Sequence, residues 1–170
     1  MDIENIYELY YRDVYHFALY FTNNKQEAED ITQETFMKVM KNHHTLKESS
    51  SMKTWIISIA RNTAIDLKRK QKWVSFLPDW FQKEEVDSET TEQKIIKKDE
   101  WVELQDALLR LKPHYRTLVI LRGLKELTIK EVSEILEISE QKVRVDYHRA
   151  IQQLKKQVHS FQEGWGMTNE

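Results

Sequence analysis

The chain has 170 residues, with 26 Lys and Arg against 28 Asp and Glu and a formal net charge of −2. With 40% apolar and 32% charged residues it reads as one or two globular domains, and no apolar run approaches the roughly 20 residues of a membrane span. The lack of Cys excludes disulfides and thiolate metal sites, and only three Gly and two Pro favour helix throughout.

Asp2 can cap a first helix, in which Ile6, Tyr10, Val14, Phe17 and Phe21 recur at spacings of three and four. The aromatic members of that stripe read as core. Asn23-Asn24 breaks the helix, and Asn24 with Glu27 makes the next cap. A second helix is expected from Lys25 to Met40, burying Ala28, Ile31, Thr35, Phe36 and Val39. Asp30, Gln33, Glu34 and Lys38 stay outside, and the acids read as lacking a basic neighbour. That face suits either plain solvation or a basic protein surface. Adjacent His43 and His44 point about 100° apart on a helix and lack the spacing of a zinc site, so no metal is expected there.

A polar loop covers 46–52, and a third helix follows through Lys70. Its inner face is Ile56, Ile59, Ala60, Thr63 and Leu67. Its outer face, Ser58, Arg61, Asn62, Ile65, Lys68, Arg69 and Lys72, combines donors able to read bases with cations for phosphates. The stretch 75–100 carries 4 Lys/Arg against 8 Asp/Glu and reads as an acidic linker. Val74, Phe76, Leu77, Trp80 and Phe81 are too apolar for a bare linker, and are expected to pack on the first domain or to dock a partner.

Beyond the linker, Trp101, Leu104, Leu108 and Leu111 repeat helically, and Pro113 opens a new segment that Gly123 punctuates. Thr128 and Glu131 then form a capping box, flanked by Leu127 and Val132 at the spacing of a hydrophobic staple. The chain turns through Glu137-Ile138-Ser139, and Ser139 can cap a second helix. The position that calls for a left-handed residue holds Glu137 rather than Gly. In the second helix Val143, Tyr147, Ala150 and Leu154 face inward, while Arg144, Val145, His148, Arg149, Gln152, Lys155 and Lys156 lie opposite. A short capped helix, a tight turn and a basic second helix describe a helix-turn-helix whose second helix enters the DNA major groove; an ordinary helical hairpin with a solvated face is the plainer reading. Asp146 interrupts the basic face. It is expected at the edge of the groove, limiting affinity, with orientation of Lys142 or Arg149 and a bond to a cytosine amino group as alternatives. Near-neutral halves, with 11 Lys/Arg against 10 Asp/Glu in both 1–74 and 101–170, imply weak binding to DNA in the absence of a larger partner.

At this point the chain resembles a bacterial sigma factor of the extracytoplasmic-function (ECF) type. Ala28-Glu-Asp-Ile-Thr-Gln-Glu-Thr-Phe36 resembles the polymerase-binding helix of sigma region 2, and Trp55-Ile-Ile-Ser-Ile-Ala-Arg-Asn-Thr-Ala-Ile-Asp66 the helix that meets the −10 element. Leu111-Lys-Pro-His-Tyr-Arg116 resembles the opening of region 4, and Val143 to Leu154 its recognition helix. The resemblance implies an all-α fold of two small helical domains joined by an acidic linker. They would be region 2 over 1–74, a linker over 75–100, region 4 over 101–158, and a flexible tail over 159–170. It implies that Asp30, Gln33 and Glu34 bind the polymerase clamp. Lys47, Ser49, Ser50, Arg61, Asn62, Lys68 and Arg69 would face the −10 DNA, with the loop of 47–52 capturing an extruded base. Lys142, Arg144, Val145, His148 and Arg149 would face the −35 element. Asp146 and Val145 depart from the family pattern, which commonly has a base and a small polar residue there.

The implied partners are core RNA polymerase (clamp through 1–74, flap through 101–158), promoter DNA in duplex and single-stranded form, and a membrane-bound anti-sigma factor. No cofactor, no catalytic residue and no membrane insertion are expected, and the location would be cytoplasmic. The alternative is a helix-turn-helix regulator that acts without polymerase and binds its operator as a symmetric dimer. An enzyme is not expected, because no nucleophile triad, phosphate loop or metal-ligand spacing occurs.

Overall fold

Helix starts leave their first N–H groups unpaired, and side-chain caps at Asp2, Asn24, Thr128 and Ser139 satisfy them where four of the helices begin. The computed structural model describes residues 2–46, 51–78 and 98–158. Helix α1 (Ile3–Thr22) begins at Asp2, whose carboxylate accepts from the Ile3 N–H at 2.7 Å, and ends at Asn23 in the left-handed region. Helix α2 (Lys25–Asn42) is capped by Asn24, which accepts from the Glu27 N–H at 2.9 Å, and a 3-10 turn over His43–Thr45 follows it. Helix α3 (Met52–Val74) runs past its expected end at Lys70. In the second half come α4 (Lys98–Arg110), α5 (Pro113–Leu118), α6 (Ile129–Leu136) and α7 (Glu140–Gln157). Helix α5 continues into a π-helical segment over Val119–Leu124, closed where the Lys125 N–H donates to the Ile120 carbonyl at 2.8 Å. Among the described residues every regular element is helical.

Helices α1, α2 and α3 pack together around Val14, Phe17, Phe21, Ile31, Ile56 and Ala60. The α2 stripe is buried as its periodicity predicts. In α3 the buried set is Thr54, Ile56, Ile57, Ala60, Thr63 and Ala64, while Ile59 and Leu67 are only half-buried. The difference has a cause: α3 is covered by α1 and α2 on one side and by α6 on another, which widens and turns its apolar stripe.

The second half has a cluster of its own, in which Leu104 and Leu108 of α4, with Leu111 just beyond it, meet Ala150 and Leu154 of α7. Leu118, Ile120, Leu121, Val132, Ile135 and Val143 instead join the cluster formed by α1–α3. The two halves are therefore in apolar contact, and polar contacts reinforce it. Asp13 of α1 pairs with Lys125 at 2.7 Å and with Lys53 of α3 at 3.5 Å. Tyr20 meets Trp101 edge-on, with ring centroids 5.7 Å apart.

Arg116 of α5 is buried at the corner where these elements meet. It donates to the carbonyls of Leu108, Leu109 and Leu111 at 2.8–3.1 Å and to that of Phe21 at 3.1 Å. Those carbonyls are at or near the C-terminal ends of α4 and α1, where backbone acceptors lack helical partners and carry partial negative charge.

Val74, Phe76 and Leu77, expected to pack on the first domain or to dock a partner, do not have the burial that full packing on the first helices would give. Those residues and Trp73 are exposed at the end of α3, because the helix overshoots the bundle that would have covered them. Trp80 and Phe81, most of the linker, and the tail over 159–170 lie outside the described residues.

Candidate nucleic-acid and polymerase interfaces

The helix-turn-helix is built from its caps. Thr128 Oγ1 accepts from the Glu131 N–H, and Glu131 returns the bond to the Thr128 N–H at 2.7 Å. The bond from the Thr128 N–H holds the Glu131 carboxyl below its ordinary value, against the smaller upward push of burial. Glu137 occupies the left-handed turn position at φ 54°. Ser133 braces the turn by donating from Oγ to the Ile138 carbonyl, and Ser139 caps α7 by accepting from the Lys142 N–H at 3.2 Å. Val143, Ala150 and Leu154 anchor α7, and Tyr147 is half-buried, so Lys142, Arg144, Val145, His148 and Arg149 are all left exposed.

Asp146 is not at the edge of this surface. It is buried, with 3% of its surface accessible. Its carboxylate meets His114 Nε2 at 2.8 Å, Lys142 Nζ at 2.8 Å and Arg149 Nη1 at 3.9 Å. The Lys142 bond, with His114 assisting, outweighs the burial that would push this carboxyl up, and holds it below its ordinary value. Spacing along α7 points to Lys142 and Arg149. The His114 contact comes from α5, 32 residues earlier, and it turns the side chain inward.

On α2, Asp30, Gln33 and Glu34 are exposed side by side. The acids do have partners, contrary to what the sequence alone suggests. Lys38, one turn from Glu34, reaches its carboxylate at 2.8 Å and also donates to Thr63 Oγ1 at 3.0 Å, while Gln26 donates to Asp30 at 3.2 Å. Long lysines bend along a helix to find such partners. Exposed Met37 and Met40 extend this face toward the C-terminal end of α2.

On α3, Asn62 and Arg69 are exposed. Arg61 is half-buried where α3 meets α6; it donates to Asn62 Oδ1 at 3.0 Å, and its Nε has no partner among the described residues. Burial lowers the tendency of this guanidinium to stay charged, and Glu137 across the contact opposes that. Lys68 is tied to Glu27 at 2.7 Å, and Gln71 donates to the same carboxylate at 2.6 Å. Lys47, Ser49 and Ser50 lie outside the described residues. Among the described residues no three metal-ligating side chains gather, His43 and His44 included.

A helix-turn-helix with an exposed basic face, packed beside a bundle whose third helix carries donors and cations, is the architecture of a DNA-binding protein. The family model for Sigma-70 region 2 matches residues 6–74, and that for Sigma-70, region 4 matches residues 101–154. The ECF RNA polymerase sigma factor SigX of Bacillus subtilis (strain 168) is 33% identical over 165 residues, covering 93% of this chain and 84% of the relative. SigM of the same strain is 35% identical over 159 residues, covering 91% and 94%. The chain belongs to the ECF group of the sigma-70 family of RNA polymerase sigma factors. It binds core RNA polymerase and directs promoter-specific transcription initiation, and the comparisons favour this reading over a regulator that works without polymerase. The fold is shared with the sigma factor RpoE of Bartonella quintana, solved in complex with the anti-sigma factor NepR (TM-score 0.71, 21% identity, 90% and 94% of the chains). It is shared too with CnrH, solved in complex with the cytosolic domain of CnrY (TM-score 0.67, 16% identity, 91% and 85%).

Proposed function

We propose that three separate surfaces divide the work of initiation. Asp30, Gln33 and Glu34 on α2 dock region 2, over 1–74, on the polymerase clamp. Asn62, Arg61 and Arg69 on α3, with Lys68 and the loop residues Lys47, Ser49 and Ser50, face the −10 element. Arg144, Val145, His148 and Arg149 on α7, with Lys142 at its entry, face the −35 element, while region 4, over 101–158, meets the polymerase flap. The observation that carries this reading is the exposed basic face of a capped and anchored α7. A recognition helix needs that rigidity, because base contacts tolerate little displacement. The chain does no chemistry itself; bond formation belongs to the polymerase.

The same residues set an order of events. Arg61 is half-buried, and Glu137 at the end of α6 acts on its charge, so its full contact with DNA follows a parting of the two halves. Docking of α2, which is open, precedes opening. The protein acts in the cytoplasm, where polymerase and promoter are, and no described helix is long and apolar enough to cross a membrane. A membrane-bound anti-sigma factor fits as its regulator, in keeping with the complexes in which RpoE and CnrH were solved.

Runoff transcription with purified core polymerase tests the reading. Promoter-dependent transcripts are expected only when this protein is present. A tight, specific shift of duplex DNA by the protein alone at physiological salt would overturn it.

A further inference from the structure

Helix α3 ends in two bare aromatic rings. Trp73 is 73% exposed and Phe76 is 76% exposed. Asn62, Asp66, Arg69 and Trp73 recur at spacings of four, three and four, so they form one stripe, and all four are exposed. At a rise of about 1.5 Å per residue the stripe carries the proposed −10 face some 16 Å beyond Asn62. Its cations remain available. Arg69 has only a loose contact with Asp66 at 4.0 Å, and exposed Lys70 and Lys72 have no ion pair among the described residues. The terminal turn is held in place, since Ser75 Oγ donates to the Lys72 carbonyl at 2.7 Å and the Phe76 N–H to that of Trp73 at 3.1 Å.

From this arrangement we infer that Trp73 and Phe76, flanked by Arg69, Lys70 and Lys72, form a stacking platform for unpaired bases of single-stranded DNA. Rings interleaved with cations suit a ligand with flat apolar faces strung on a negative backbone. Duplex DNA does not meet that description, because its base faces already stack on one another. A purely apolar partner does not meet it either, since docking would desolvate the cations without pairing them. The platform is distinct from the loop of 47–52 and extends the reading face around Asn62, with Arg69 shared between them. It selects for absence of pairing and not for sequence, because every base offers a π-face. The inference rests on the reading of the outer face of α3 as the side toward DNA.

The test is fluorescence anisotropy of a labelled 12-nucleotide oligothymidylate, and of a 12-bp duplex, titrated with the full-length protein at low salt. Trp73→Ala with Phe76→Ala should weaken oligothymidylate binding about tenfold or more, leave the duplex unaffected and leave the salt slope unchanged. Trp73→Phe, which keeps a ring, should bind within a few-fold of wild type. Lys70→Ala with Lys72→Ala should instead flatten the salt slope, by about 0.7 for each phosphate that is no longer neutralised. Wild-type binding by the ring-free variant, equal losses on duplex and single strand, or no binding by wild type would each overturn the platform. So would loss of core polymerase pull-down in the ring-free variant with oligothymidylate binding intact, which would give the rings to a protein. Asn62→Ala separates the two readings. If it abolishes promoter use while the ring-free variant binds oligothymidylate normally, the α3 reading stands and the platform falls; the reverse pattern keeps the platform and removes the reading.

Discussion

The Arg116 guanidinium donates to the Phe21 carbonyl at 3.1 Å across 95 residues of sequence, and it lies 4.8 Å from the centroid of the Phe21 ring. One planar cation thus closes the end of α4 and reaches the end of α1. Burial lowers its tendency to stay charged, so its partners must compensate, and all four are carbonyl oxygens. Arg116→Lys should fail here, because an ammonium cannot reproduce the fork of donors. Arg116→Ala should cost about 3 kcal/mol, the scale for removing a charged group that satisfies several buried acceptors. Urea unfolding at neutral pH measures both. A loss under about 1 kcal/mol for Arg116→Ala would contradict the role.

Asp13 ties the first half to the second through Lys125 and ties α1 to α3 through Lys53. Burial pushes its carboxyl up, and the two lysines more than offset that, leaving it below its ordinary value of 3.8. A depressed carboxylate contributes stability above its unfolded pKa and loses it as pH falls through the folded value. Asp13→Lys should place three cations together and open the molecule without loss of helix. Small-angle scattering should show an increased radius with unchanged far-UV circular dichroism. Wild type should begin to open in the same way below about pH 4.

The α2 face can be tested by charge reversal. Asp30→Lys with Glu34→Lys should abolish capture by core polymerase while helicity stays intact, since both side chains are exposed. Removal of the Glu34–Lys38 pair itself should cost under about 1 kcal/mol. Capture at wild-type strength would refute the assignment.

For α7, Arg144→Ala and Arg149→Ala should each weaken −35 recognition by about 1–3 kcal/mol if they reach base edges. Footprinting of the holoenzyme on −35 variants tells the two roles apart. Truncating a base reader relaxes discrimination at one position, and truncating a phosphate binder weakens all sequences evenly.

Asp146→Arg reads from the sequence alone as a gain in affinity. At a buried site among His114, Lys142 and Arg149 it should instead destabilise region 4, with a fall in melting temperature and no gain on any promoter. Asp146→Asn should be milder, and its difference from wild type should shrink as pH falls toward and through the lowered value of the wild-type carboxyl, where that group takes up its proton and its bonds to Lys142 and His114 lose their charge. A difference that grows toward acid would contradict this.

Much of this was legible in the residues. The caps at Asp2, Asn24, Thr128 and Ser139 are local chemistry, so reading them needs only a few neighbouring positions. The buried stripe of α2 follows from period alone, and so does the exposed set on α7. What escaped depends on contacts far apart in the chain. Asp146 faces inward because His114 is there to meet it, and Ile57 and Ala64 replace Ile59 and Leu67 because α6 covers α3. Arg116 reads as one more cation after Pro113, and nothing local shows that it spans two helix ends. Phe76 reads as an apolar residue in need of cover, which local pattern cannot assign, and Trp73 beside it carries no signal of its own in the sequence.

Glu137 accepts a left-handed backbone that glycine would adopt with less strain, and from that turn its charge acts on Arg61 in the other half. The residue therefore couples two properties that could have been independent: the ease with which the reading hairpin folds, and the tightness with which it rests on α3. Glu137→Gly relaxes the first by about 1 kcal/mol and loosens the second. A sturdier hairpin made this way would be a less reserved one, readier to leave α3 before any polymerase has arrived.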